Sequence, residues 1–185
     1  MAQLLVTDIF QRKRDGRWVI RFTDEGAHPV KGQQSLKTAG QESGRRTFPV
    51  PNALLDLGLL QYREFLQLEG ELALFPLLRR KGKRPGIFAS FGEWMCDYVY
   101  DHGVLIRDTG RQPVREFRHT FSTASRASRL PKDAMKYIQG HKDSDDNSSS
   151  DDYGELDDLG DRIDDFQLRV NILALVKPWR PPNTQ

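Results

Sequence analysis

The chain has 185 residues, of which 37% are hydrophobic and 29% are charged, and it contains a single cysteine, Cys96. This composition fits one globular domain with its own hydrophobic core, and it excludes an internal disulfide and a cysteine-based zinc site. No apolar run approaches the roughly 18 residues that a membrane helix requires, and the first residues do not resemble a secretory leader. We therefore expect a cytoplasmic protein that makes no membrane contact.

The net charge of +2 hides an uneven distribution along the chain. Residues 1–142 hold 24 basic and 15 acidic residues, a net charge of +9, whereas residues 143–165 hold 11 acidic residues and one basic residue, a net charge of −10. A basic body attracts nucleic acid, although an ordinary solvated surface explains the same charge equally well. The acidic stretch would repel a DNA backbone, so we do not expect it to face DNA.

The first fifty residues predict a small antiparallel meander. Residues 2–9 have the pattern of a helix end that runs into a strand. An Arg-Asp-Gly turn at residues 14–16 precedes a β-branched and aromatic run, which favours a strand. Residues 26–34 contain Gly and Pro and predict a loop. The three predicted strands are residues 16–22, 35–38 and 46–51.

From Pro51 onward, apolar residues recur with a helical period near 3.6. A basic loop at residues 78–86 and an acidic loop at residues 143–152 interrupt this pattern. The predicted fold class is α+β, mostly helical, with a small three-stranded antiparallel sheet near the N-terminus. We expect one domain over residues 1–176, followed by a C-terminal tail at residues 177–185. The predicted helices cover residues 54–66, 88–100, 114–129, a segment opened by Pro131, and 153–176.

Several short stretches follow one another in a suggestive order. Residues 118–121 read Arg-His-Thr-Phe, residues 140–141 read Gly-His, and Tyr153 comes one loop later. Upstream, residues 36–38 read Leu-Lys-Thr, and residues 45–51 read Arg-Arg-Thr-Phe-Pro-Val-Pro. Each stretch is weakly specific, but together and in this order they resemble the catalytic domain of the tyrosine recombinase (phage integrase) family.

The resemblance covers residues 2–165, including the stretch from Leu5 to Ile9, which is similar to the entry into the family's sheet. It implies site-specific DNA recombination or integration, in which strands are cleaved and religated through a phosphotyrosine intermediate. The implied partner is double-stranded DNA, on which the protein would self-associate. No cofactor or metal is implied, because the phosphotyrosyl bond keeps the energy of the broken bond.

The resemblance also implies a role for each matching residue. Tyr153 is the nucleophile, Arg118 holds the scissile phosphate, His141 donates a hydrogen bond to it, and Lys37 protonates the leaving 5′-oxygen. These residue types suit the chemistry, because arginine forks match the negative charge on phosphate oxygens. A tyrosine hydroxyl with a reference pKa near 10 needs cationic neighbours or a base, and a lysine is a suitable general acid.

The chain departs from the family pattern at two places. The family has a histidine three residues before the arginine matched by Arg118, and Arg115 stands there. Arg115 is able to donate to phosphate but not to accept a proton. The family's first arginine belongs to a Gly-x-Arg-x-x-Glu stretch that would precede Met1. We therefore expect a truncated domain with weak or no cleavage, a remnant gene, or a misannotated start.

The candidate DNA contacts outside the catalytic set are Arg45, Arg46, Lys81, Lys83 and Arg84. Every catalytic candidate also has an ordinary structural interpretation. Arg118 fits a helix surface, His141 a helix cap, Tyr153 a core aromatic, and Lys37 an exposed hairpin. His119 is expected to pack inside the domain. Two other functions therefore stay open: a non-catalytic DNA-binding remnant of an integrase, and a helical protein-interaction domain with an incidental basic surface.

A metal site is not expected. The four histidines are scattered without paired spacing. The acidic tract lacks the glycine and the closing glutamate of a calcium loop.

Overall fold

The computed structural model describes residues 2–36, 45–78, 88–104, 107, 110, 112–140, 158–166 and 176–182. Within these ranges the fold is α+β, with a small antiparallel sheet in the first fifty residues and helices after it. No helix in this part of the chain has the length and apolar character needed to span a bilayer.

The described strands form two antiparallel sheets. Their bounds are β1 (Ile9–Gln11), β2 (Trp18–Phe22), β3 (Ala27–His28), β4 (Gly32–Gln33) and β5 (Arg46–Pro49). In the three-stranded sheet, β2 is central and pairs with β1 on one side and β5 on the other. Ile20 sets the register, because it lies opposite Ile9 on β1 and Phe48 on β5. The other sheet consists of β3 and β4.

The sheet differs from the predicted one at the second predicted strand, residues 35–38. Ser35 and Leu36 belong to no strand, whereas Lys37 and Thr38 lie outside the described residues. β1 takes the place beside β2 instead. The predicted loop at residues 26–34 contains β3 and β4, which are too short to produce an alternating pattern. His28 holds their turn, because its buried Nδ1 accepts hydrogen bonds from the backbone N–H of Val30 and Lys31, both at 3.2 Å.

The described helices are α1 (Asn52–Asp56), α2 (Leu59–Leu68), α3 (Ala89–Asp101), α4 (Pro113–Ala127) and α5 (Lys132–Gln139). These bounds confirm the predicted helices over 88–100 and 114–129 and the one that follows Pro131. The predicted helix over 54–66 is divided, because Gly58 adopts a left-handed conformation with φ of 86° between α1 and α2.

The predicted last helix is shorter than expected. Residues 158–165 are helical and end in the 3-10 helix Arg162–Asp165. Phe166 then turns to extended backbone, with ψ of 125°. Its ring stacks on Phe121 of α4 at a centroid distance of 5.0 Å. The prediction of one helix running on to Val176 is therefore wrong at Phe166.

The hydrophobic core lies between the three-stranded sheet and α2. Arg63 of α2 crosses this interface, because its Nε donates to the carbonyl oxygens of Val6 at 3.2 Å and Ile9 at 2.7 Å. Near the end of the chain, Trp179 donates its backbone N–H to the carbonyl of Leu57 at 2.9 Å. The main core residues are Leu4, Val6, Ile9, Ile20, Phe22, Phe48, Val50, Leu66 and Leu74.

Candidate nucleic-acid interface

Strand β5 and helix α5 are joined through one tyrosine. The Tyr137 hydroxyl accepts a hydrogen bond from the Thr47 backbone N–H at 3.1 Å and lies 3.2 Å from the Thr47 carbonyl, to which it donates. Residues 158–165 pack on the same junction at Gly160. A side chain there would meet the Thr47 carbonyl oxygen at 2.6 Å. The C-terminal part of the fold is therefore anchored to the sheet at β5.

Arg46 lies at the C-terminal end of α5. Its Nε donates to the carbonyl of Ile138 at 3.3 Å, and its guanidinium lies over the Phe22 ring at 4.5 Å. Gly140 ends the helix in a left-handed conformation, with φ of 67°. A Cβ at Gly140 would come within 2.6 Å of Arg46 Nη1. A cation is favourable at a helix C-terminus, so Arg46 both holds β5 to α5 and fixes the turn that precedes His141.

Arg118 on α4 lies against the same end of α5. Its carbonyl oxygen accepts hydrogen bonds from Gln139 Nε2 at 3.3 Å and from Ser122 Oγ at 3.0 Å. Gln139 Nε2 also donates to Ser122 Oγ at 2.7 Å, which closes a small polar network. The side chain of Arg118 is exposed. One turn of α4 is thus fastened to the last residue of α5.

The charges of Arg46 and Arg118 act on each other. Burial lowers the pKa of Arg46, Tyr137 offsets part of this shift, and the nearby positive charge of Arg118 again lowers the pKa. Positive charge from Arg46 and Arg118 together favours an anion with several oxygen atoms, such as a phosphate. Arg115 is exposed and lies three residues before Arg118, so it adds positive charge on the same side of α4.

The remaining sequence candidates have different positions. Arg45 is exposed, but it pairs with Asp24 at 2.7 Å and with Glu25 at 2.8 Å. Its hydrogen bond holds the pKa of Asp24 below the usual range. The expectation that His119 packs inside the domain is wrong. Its side chain is exposed, because α4 buries a different side, at Ser125. Six candidates lie outside the described residues: Lys37, Lys81, Lys83, Arg84, His141 and Tyr153.

Sequence reasoning missed a second cluster of cations. Three arginines of the β1–β2 hairpin, here called the hairpin arginines, pair with aspartates of residues 158–165, here called the acidic helix. The signal in the sequence is the basic turn Arg12-Lys13-Arg14-Asp15-Gly16-Arg17 together with aspartates at three-residue spacing. The hairpin arginines are Arg12, Arg14 and Arg17, and their partners are Asp158, Asp161 and Asp164.

The described ranges contain no group of three His, Cys, Asp or Glu side chains that could hold a metal ion. Comparison of the chain with known protein-family models, with curated proteins and with solved structures finds no match.

Proposed function

We propose that the chain binds double-stranded DNA through the face where Arg46, Arg118 and the end of α5 meet, and that it cleaves and rejoins DNA strands through a phosphotyrosine intermediate. The observation that carries this proposal is the contact of Arg46 and the Arg118 turn with the last residues of α5, directly before His141. Residues of three stretches that resemble the tyrosine recombinases, namely Arg46, Arg118 and Gly140, are thereby neighbours at this point.

In the proposed reaction, the Arg118 guanidinium and His141 donate to the non-bridging oxygens of one phosphate. The Tyr153 hydroxyl gives up its proton to water, its oxygen attacks the phosphorus, a phosphotyrosyl bond forms, and the bond to the 5′-oxygen breaks. Lys37 transfers a proton to that oxygen. Attack by a 5′-hydroxyl on the phosphotyrosyl bond reverses the step and releases the tyrosine, so no external energy source is consumed.

The rival proposal is a non-catalytic DNA-binding remnant that uses the same face. Arg46 supports it as much as it supports an enzyme, because Arg46 is held by Phe22 and Ile138 in a structural contact. A test that separates the two proposals must therefore trap a single cleavage event.

The deciding experiment uses a nicked duplex that loses a short strand fragment after cleavage, which prevents religation. The wild-type chain should form a covalent adduct with this duplex, seen as a shifted band on a denaturing gel. Tyr153→Phe should abolish the adduct and keep duplex affinity, because only the nucleophilic oxygen is lost. Arg118→Ala should slow adduct formation by about 10²–10³, the usual effect of removing one transition-state donor.

Arg126→Ala is the matched control for Arg118, because Arg126 is an exposed arginine in the last turn of the same helix. An adduct that survives Tyr153→Phe would mean that the nucleophile is another residue. Duplex binding without any adduct would favour the non-catalytic remnant. Absence of duplex binding would overturn both proposals.

A protein-interaction domain is the candidate that would then remain, and one observation on α3 favours it. Trp94 and Tyr98 stack on each other at 5.5 Å, yet their side chains are 55% and 48% exposed. Exposed aromatic residues of this kind are common in protein interfaces.

A further inference from the structure

The β1–β2 hairpin presents a compact group of cations at its turn. Gly16, with φ of 71°, closes the turn by donating its N–H to the Arg12 carbonyl at 2.8 Å. The turn thereby brings the three hairpin arginines to one end of the sheet. This group is separate from the face formed by Arg46 and Arg118.

The acidic helix lies against this turn and pairs with every hairpin arginine. Asp161 is the central aspartate of these ion pairs, because its Oδ2 lies 2.9 Å from Arg12 Nη2 and 3.0 Å from Arg14 Nη2. Asp158 pairs with Arg14 at 3.2 Å, and Asp164 pairs with Arg17. Aspartates at this spacing lie about 4.5 Å apart along a helix axis, so they offer a row of anionic oxygens to the arginines.

The ion pairs divide into a buried inner set and an exposed outer set. The Arg12 side chain is only 8% exposed and is shared between Asp15 and Asp161, which makes it a structural anchor. The outer side chains are open to solvent, with 41% of Arg14 and 72% of Asp158 exposed, and 37% of Arg17 and 39% of Asp164. Exposed pairs contribute little to stability and are screened by salt, so another polyanion is able to replace the aspartates.

The acidic helix also contacts the proposed DNA face. Gly160 packs closely on Thr47 of β5 and on Tyr137 of α5. Phe166, directly after the helix, stacks on Phe121 of α4, one turn beyond Arg118. The acidic helix therefore lies between the hairpin arginines and the elements that carry Arg46 and Arg118.

We propose that Arg14 and Arg17 form a second contact for the phosphates of duplex DNA, and that the acidic helix occupies this contact until DNA displaces Asp158 and Asp164. This inference rests on the proposed DNA binding and extends it to a surface outside the predicted site. Arg12 and Asp161 stay paired in both states and keep the helix attached. The competing explanation is a purely structural clasp, in which the same pairs only fasten the acidic helix to the hairpin.

Two adjacent aspartates allow a matched test. Asp164 pairs with Arg17, whereas Asp165 pairs with Arg162 of its own helix at 3.0 Å. Asp164→Asn and Asp165→Asn change the net charge equally, but only the first removes the close partner of a hairpin arginine and leaves Arg17 with Asp161 at 3.6 Å. We expect Asp164→Asn to bind a short non-specific duplex several-fold more tightly than Asp165→Asn at low salt. Its plot of log affinity against log salt should be steeper by about 0.9, which corresponds to one additional phosphate contact.

Asp158→Asn removes one of the two aspartate partners of Arg14 and leaves Asp161 at 3.0 Å, so it should act in the same direction as Asp164→Asn but with a smaller gain. Arg17→Gln added to Asp164→Asn should remove the gain. Equal duplex affinities for Asp164→Asn and Asp165→Asn, with normal binding by the wild type, would overturn the inference and leave the proposed function in place. Failure of the wild type and of every variant to bind duplex would instead overturn the proposed function, and the inference with it.

Discussion

Gly140 meets two geometric requirements at the end of α5. Its φ of 67° lies in the left-handed region, and its missing Cβ leaves room for Arg46 Nη1, which a Cβ would meet at 2.6 Å. We expect Gly140→Ala to lower the free energy of unfolding by about 1–2 kcal/mol from the backbone alone. Displacement of Arg46 should add to this loss, and it should also weaken duplex binding. Urea denaturation and a duplex titration measure the two effects.

Gly70→Ala is the control for this prediction. Gly70 has a φ of 72°, but a Cβ there would meet no atom within 4 Å. It should therefore show only the backbone cost, with unchanged duplex affinity. If both variants lose the same stability and Gly140→Ala binds duplex normally, the close approach of Arg46 has no energetic consequence.

At the residue scale, the sequence predicts the local backbone conformation better than it predicts which residues contact each other in the fold. The end of α5 at Gly140 is readable, because glycine is favoured where a helix terminates in a left-handed residue. The position of Arg46 cannot be predicted from the sequence, because the carbonyl of Ile138 that accepts its hydrogen bond is 92 residues away along the chain. An arginine at the start of a strand suggests a DNA contact, and only the tertiary structure reveals that burial lowers the pKa of Arg46.

The β1–β2 hairpin contains a carboxylate whose protonation should affect folding. The hydrogen bond from Arg12 holds the pKa of Asp15 at about 2, and the backbone N–H of Arg17 also donates to it. Because the pKa of Asp15 is lower in the folded chain than in the unfolded chain, its charge stabilises the fold at pH values above the unfolded pKa, which is about 3.9. This stabilisation declines as the pH falls toward 2. Asp15→Asn should therefore be less stable than the wild type at pH 6, and the difference should shrink as the pH falls below about 4.

Urea midpoints of the wild type and of Asp15→Asn, measured from pH 6 downward, test whether the stability difference shrinks as predicted. Asparagine suits a turn as well as aspartate does, so the hairpin should be retained in the variant. A stability difference that stays constant down to pH 3 would show that Asp15 acts through turn geometry rather than through its charge.

Elements were predictable where a local signal was strong. β2 follows a turn with glycine at a left-handed position, and its β-branched and aromatic residues favour a strand. β1, with three residues, carries too little pattern to be distinguished from residues 35–38 as the partner of β2. Similarly, the helix that ends at Asp165 has apolar residues beyond it in the sequence, so its end at Phe166, whose ring stacks on Phe121, could not be predicted from the local pattern.

For the whole molecule, the separation of charge is visible in the sequence, but its pairing is not. The net charges of +9 for residues 1–142 and −10 for residues 143–165 indicate that the two parts attract each other. Which groups meet depends on the fold, since Arg12 and Asp161 are 149 residues apart. The structure shows that the attraction is partly local, through ion pairs at the hairpin, and the remaining acidic residues are expected to act at longer range.

The long-range part can be tested in the acidic tract of residues 143–152. The change is Asp→Asn at Asp143, Asp145, Asp146, Asp151 and Asp152, with three serines of the tract changed to asparagine as the uncharged control. Removal of the negative charges should tighten non-specific duplex binding at low salt, because they oppose the phosphate backbone through solvent. The gain should fade as the Debye length shortens to about 8 Å at physiological ionic strength. Duplex titrations over a salt series measure it, and a gain independent of salt would mean that the tract acts by direct contact.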